Sequence, residues 1–115
     1  MSLEALQEKV AEFGTTPFLL TVGGDRRAHV VSVRAAVDGA QIRVSAGRTS
    51  QRNVSENPAA TLLWAAPAGE PYSLIVDGEV EHGDDREGEL VIRPTRAVLH
   101  RVADAPTDLP NCAEV

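Results

Sequence analysis

Cysteine is almost missing from this chain: Cys112 is the only one in 115 residues. One thiol excludes a disulfide framework and a cysteine-built metal site. It also points to a reducing, cytoplasmic setting. Aromatic residues make up 3% of the chain, and Lys9 is its only lysine. No window approaches the roughly 18 apolar residues of a membrane span. The N-terminus, MSLEALQEKV, carries acidic residues early and lacks an apolar h-region, so no signal peptide is expected. Basic charge is also short: the formal net charge is −6. That argues against a general nucleic-acid binder, which needs excess positive charge to neutralise phosphates.

The basic residues present are nearly all arginine, the better planar and bidentate phosphate ligand. The length suits one domain over 1–115 with a modest core. Such a core gains from burying a face against a second copy.

Leu3, Leu6, Val10 and Phe13 share one helical face, with Ser2 as N-cap and Gly14 as stop. That predicts an amphipathic helix over 3–13. After Pro17 the periodicity changes. Strands are expected at 18–22 and 28–37, with a turn at Gly23-Gly24-Asp25 between them. Asp38-Gly39 is a hairpin signal, and 41–46 runs back as its partner. Residues 17–46 thus read as a three-stranded meander. Within 47–58, Thr49 or Ser50 is expected to cap a short helix that ends before Pro58.

Further strands are expected at 59–65 and 72–80, the second interrupted at Asp77-Gly78. Two more fall at 89–93 and 96–100, separated by Pro94. A polar turn is expected at 82–88, and an irregular tail from Ala103. Short antiparallel strands without βαβ units predict a mainly β protein, closed into a barrel of six to seven strands.

The stretch from Ser45 to Pro58 carries the chemistry. Ser45, Gly47, Arg48, Thr49, Ser50, Arg52 and Asn53 gather where a strand gives way to a helix. Helix N-termini favour anions. Arg48 and Arg52, four apart, face the same way on a helical turn. This pattern suits a phosphate cradle; a capped surface helix with solvated arginines is the alternative. The histidines, His29, His82 and His100, lack metal-binding spacing. His29 and His82 read as surface residues, and His100 as a residue near a ligand at most. Trp64 reads as a core or interface residue, or as a plate against a ring. No nucleophile elbow is present, and Cys112 has no neighbouring histidine. Asp84-Asp85 reads as solvation. Any redox chemistry therefore falls to a cofactor.

The segments PFLLTVGGDRRAHVVSV, IRVSAGRTSQRNVSENPAATLLW, YSLIVDGEVE and LVIRPTRAVLHR together resemble the pyridoxamine 5′-phosphate oxidase-like split-barrel superfamily. The resemblance spans nearly the whole chain. It implies a split-barrel homodimer with cofactor sites between the subunits, holding FMN or, in an actinobacterial branch, the deazaflavin F420. Val31, Ser32 and Val33 would line the ring, beside Ser45, Ala46 and Gly47. Arg48, Thr49, Ser50, Arg52 and Asn53 would cover the phosphate and ribityl end. Trp64 and His100 would approach from either subunit.

Two positions depart from the family pattern. Ser50 stands where many relatives have lysine, so the phosphate charge falls to Arg48. Ser32 stands where many have proline. The implied activity is flavin- or deazaflavin-dependent oxidoreduction of a small unsaturated substrate. The alternatives are a carrier that binds cofactor without turnover, and a cofactor-free dimeric scaffold.

Overall fold

The computed structural model describes residues 1–81, 88–103 and 109–115. The first helix, α1, spans Leu3–Phe13. The Ser2 side chain accepts from the Ala5 N–H, and the Gly14 N–H donates to the Val10 carbonyl. Leu6 and Val10 are buried against the barrel core. Each such side chain contributes about 1.5–3 kcal/mol on burial.

The strands are β1 Phe18–Val22, β2 Ala28–Ser32, β3 Ala35–Asp38, β4 Gln41–Ser45, β5 Ala59–Trp64, β6 Ser73–Glu81, β7 Glu89–His100 and β8 Cys112–Glu114. A second helix, α2, spans Arg48–Glu56 between β4 and β5. The sheet runs β2-β1-β5-β6-β7-β4-β3, with β8 added beside β7, and every pairing is antiparallel.

The expected strand over 28–37 is two strands, and this break shapes the fold. Its first half pairs with β1 and its second half with β4. No single meander forms over 17–46, because the chain changes partner at Val33-Arg34. The two outer strands of the sheet are therefore consecutive in sequence. Backbone bonds secure the seam: Val33 N–H to Pro17, Ala35 N–H to Thr15, and Ser45 N–H to Arg34. The Arg34 N–H donates to Ser45 Oγ at 3.0 Å. Leu19, Ile42, Leu62, Leu74 and Ile92 fill the interior.

The barrel is split, as the family resemblance implies, and not closed as the strand pattern alone suggests. Along one edge of β7, β4 pairs with residues 89–92 and β8 with 98–100. The intervening part of that edge faces no strand among the described residues.

Pro94 does not divide β7. It sits opposite Gly78, at the register shift in β6, where the ladder is already irregular. A Cβ on Gly78 would come within 2.6 Å of the Arg93 carbonyl, so the close approach requires glycine. Within the tail expected to be irregular, Cys112–Glu114 forms β8, which places Cys112 opposite His100. The expected polar turn at 82–88, with His82 and Asp84-Asp85, lies outside the described residues apart from Gly88. None of the described helices is long and apolar enough to cross a membrane.

The outer surface divides in two. On one side Phe18, Leu63 and Ile75 lie in one row and Leu20 and Val30 in the next. Phe18 is 40% exposed and Val30 51%. On the other side run ion pairs: Arg43 with Asp38 and Glu89, Arg93 with Glu79 and Glu81, and Arg96 with Asp77.

Candidate functional site

Helix α2 begins at Gly47, which corrects the expected cap at Thr49 or Ser50. Gly47 is the N-cap residue, and no side chain caps the first turn. Its backbone is extended, and a Cβ there would meet nothing within 4 Å. The first intrahelical bond runs from the Gln51 N–H to the Gly47 carbonyl. The preceding N–H groups of the turn are thus free of helical partners and, with the helix dipole, favour an anion.

This turn is one wall of a pocket of about 370 Å³. His29, Val31, Ser32 and Val33 form a second wall, and Ser45, Ala46 and Gly47 a third. Arg48, Thr49 and Ser50 come from α2, and Gly88 completes the rim. The seam explains this gathering. It sets the end of β2 beside the end of β4, from which α2 departs.

A second pocket of about 450 Å³ adjoins the first, sharing His29 and Thr49 with it. Gly24, Asp25, Arg27, Arg52, Asn53 and Glu56 also line it. Arg48 and Arg52 therefore do not converge on one pocket: Arg48 lines the first and Arg52 the second. Neither they nor Arg27 forms an ion pair among the described residues.

Ser50 and Asn53 are more enclosed than a solvent-facing cradle requires, with exposures of 1% and 6%. Asn53 Nδ2 donates to Thr21 Oγ1 at 3.1 Å in a buried bond. A Cβ on Gly23 would fall 2.2 Å from Asn53 Oδ1. Asn53 thus fastens α2 to β1 and to the turn after it. That turn is closed by the Arg26 N–H to the Gly23 carbonyl and by the Arg27 N–H to Asp25 Oδ1.

Two expected site residues lie elsewhere. Trp64 is buried in the core, where its Nε1–H donates to the Gly14 carbonyl at 2.9 Å and ties α1 to β5. His100 is exposed near the end of β7, opposite Ser73 and Cys112, and lines neither pocket. That placement also supplies the histidine neighbour Cys112 was thought to lack.

His29 corrects the sequence reading in the other direction. It is half-buried, lies opposite Thr21 in the β1–β2 ladder and lines both pockets. The available signal was its phase: His29 and Val31 alternate with the outward Val30 and Ser32.

The described residues hold no group of three or more potential metal ligands. A third pocket of about 420 Å³, between α1 and the β5–β6 loop, shares no residue with the other two.

No protein-family profile matches the chain. An uncharacterized protein of Mycobacterium bovis and one of Mycobacterium tuberculosis are each 35% identical to it, over 83% of this chain and 78% of the relative. Among solved structures, an F420 reductase superposes with a TM-score of 0.64 at 24% identity, covering 78% of this chain and 94% of its own. HupZ of Group A Streptococcus gives 0.63 at 12% identity, with coverages of 84% and 92%. HutZ, described as the heme storage protein of Vibrio cholerae, gives 0.56 at 16%, with coverages of 82% and 89%.

Proposed function

Because this chain belongs to the family of the two mycobacterial relatives and shares its fold with an F420 reductase, HupZ and HutZ, we propose that it is a member of the pyridoxamine 5′-phosphate oxidase-like split-barrel superfamily, a cytoplasmic homodimer that binds a flavin or deazaflavin by its phosphate and reduces a small unsaturated substrate. The uncapped first turn of α2 at the wall of the first pocket carries this reading. Its free N–H groups, the open space above Gly47 and Arg48, which has no ion pair among the described residues, suit a phosphate. F420 stands ahead of FMN, since one structural neighbour is an F420 reductase.

The residues fit their parts as follows. Arg48 and Thr49 hold the phosphate from α2. Val31 and Val33 give the ring an apolar wall, with Ser32, Ser45 and Ala46 beside it. Ser50 and Asn53 support the turn from behind. When bound, the cofactor supplies a hydride equivalent, and the protein supplies position and exclusion of water. The apolar face of Phe18, Leu20, Val30, Leu63 and Ile75 meets the same face of a second copy, as a symmetric dimer requires.

A second reading, carriage without turnover, draws on the heme storage protein among the neighbours. The first pocket also holds no carboxylate or thiol among its described lining residues.

Parallel fluorescence titrations of the apoprotein with FMN and with F420 test the proposal. Micromolar or tighter binding of either, weakened at least about tenfold in Arg48→Ala, supports it. Binding of neither to a folded protein refutes it. Binding without turnover across a panel of unsaturated substrates favours the carrier.

A further inference from the structure

We infer that His29 contacts the bound anion as an imidazolium, so that ligand binding at this site takes up a proton. The inference rests on the proposed cofactor site, which it deepens. Thr21, opposite on β1, fixes the face of the sheet to which His29 belongs. His29 and Thr49 form the boundary between the two pockets, so a ligand seated on the first turn of α2 lies against both.

Among the described residues, the charged groups that share a pocket with His29 come from two elements. The β1–β2 turn brings Asp25 and Arg27, and α2 brings Arg48, Arg52 and Glu56. Asp25 already accepts the Arg27 N–H, and Glu56 lies over Gly24, where a Cβ would meet its Oε2 at 3.0 Å. No described residue forms a hydrogen bond or an ion pair with the His29 ring. An arriving phosphate gives the imidazolium its partner. Among side chains, histidine is the one that ordinarily changes charge between about pH 5 and 8. Arginine keeps its charge throughout. Among the described basic residues of this site, His29 is therefore the one whose charge can change with pH.

The sign follows from linkage. A histidine that gains an anionic partner binds its proton more tightly in the complex. Its contribution to affinity is present at low pH and is lost as pH rises through the titration of the bound form.

The test measures dissociation constants for FMN and for F420 across pH, for wild type, His29→Gln and His29→Lys. Taking the ratio of variant to wild type cancels the ionisation of FMN itself. His29→Gln is expected to bind about tenfold more weakly near pH 5.5 and nearly as well as wild type near pH 8.5. His29→Lys, with a fixed charge, keeps its affinity at both. Calorimetry in two buffers of different ionisation enthalpy reads proton uptake directly, and His29→Gln loses it. A constant ratio across pH, with both proteins binding, overturns the role of His29 and leaves the cofactor site standing. Failure of wild type to bind either probe at any pH overturns both.

Discussion

Two groups of three arginines in this barrel stand in contrast. On β4 and β7, Arg43, Arg93 and Arg96 lie among carboxylates and pair with them. Around the two adjoining pockets, Arg27, Arg48 and Arg52 have no such partner among the described residues. Acidic side chains are not in short supply: the chain has 17 acids to 11 Lys and Arg. What differs is placement. The first population neutralises itself along a strand ladder. The second is presented to space that a molecule from outside can enter.

Substitutions can break or sharpen this contrast. Asn53→Ala should have the largest effect, because it loosens the wall on which the second population stands. It leaves the buried Thr21 hydroxyl without its amide donor. A stability loss of about 2–3 kcal/mol is expected, or roughly 10 °C in the thermal midpoint, with weaker ligand binding alongside. An unchanged midpoint would show that α2 is held by other means.

Arg48→Ala should separate binding from stability. Affinity for FMN or F420 should fall by about 1.5–3 kcal/mol, while the midpoint moves by less than about 2 °C. Gly47→Val gives a steric version of the same test. In the free protein its side chain enters open space, and the cost is the exchange of an N-cap glycine for a poorer cap, about 1 kcal/mol. In the complex it occupies the place of the ligand, and about tenfold weaker binding is expected, in line with overpacking costs of about 1–3 kcal/mol.

Arg43→Ala should do the reverse, with the smallest effect of the set. It removes a partly exposed pair of contacts worth about 1 kcal/mol at most, weakening further in salt. Ligand affinity should be unchanged. If Arg43→Ala and Arg48→Ala shift the midpoint equally and affinity not at all, the two populations are one.

Local signals in the chain located most elements. Ser2 and Gly14 bounded α1, Asp38-Gly39 marked its hairpin, and Asn57-Pro58 ended α2. Features that depend on partners were hidden. Nothing in the run 28–37 tells where a strand leaves one neighbour for another, so β2 and β3 looked continuous. Pro94 read as a break because its irregular partner, Gly78, is distant in sequence. The gathering of Val31–Val33 with Ser45–Ser50 was legible from family resemblance, and the inward position of His29 from its phase with Val31. Trp64 fits the buried alternation Ala60, Leu62, Trp64, which already favoured the core over a ring contact.

The seam at Val33-Arg34 has a dynamic consequence. The residues that bridge it, Val33 and Ser45, are also pocket-lining residues. Breaking the seam would therefore also displace the pocket wall, and local unfolding there is expected to show in amide exchange. A ligand held on both sides of the seam acts as a cross-strand clasp. It slows exchange of the Val33, Ala35 and Ser45 amides together, and the kinetic lifetime of the closed barrel becomes tied to that of the complex.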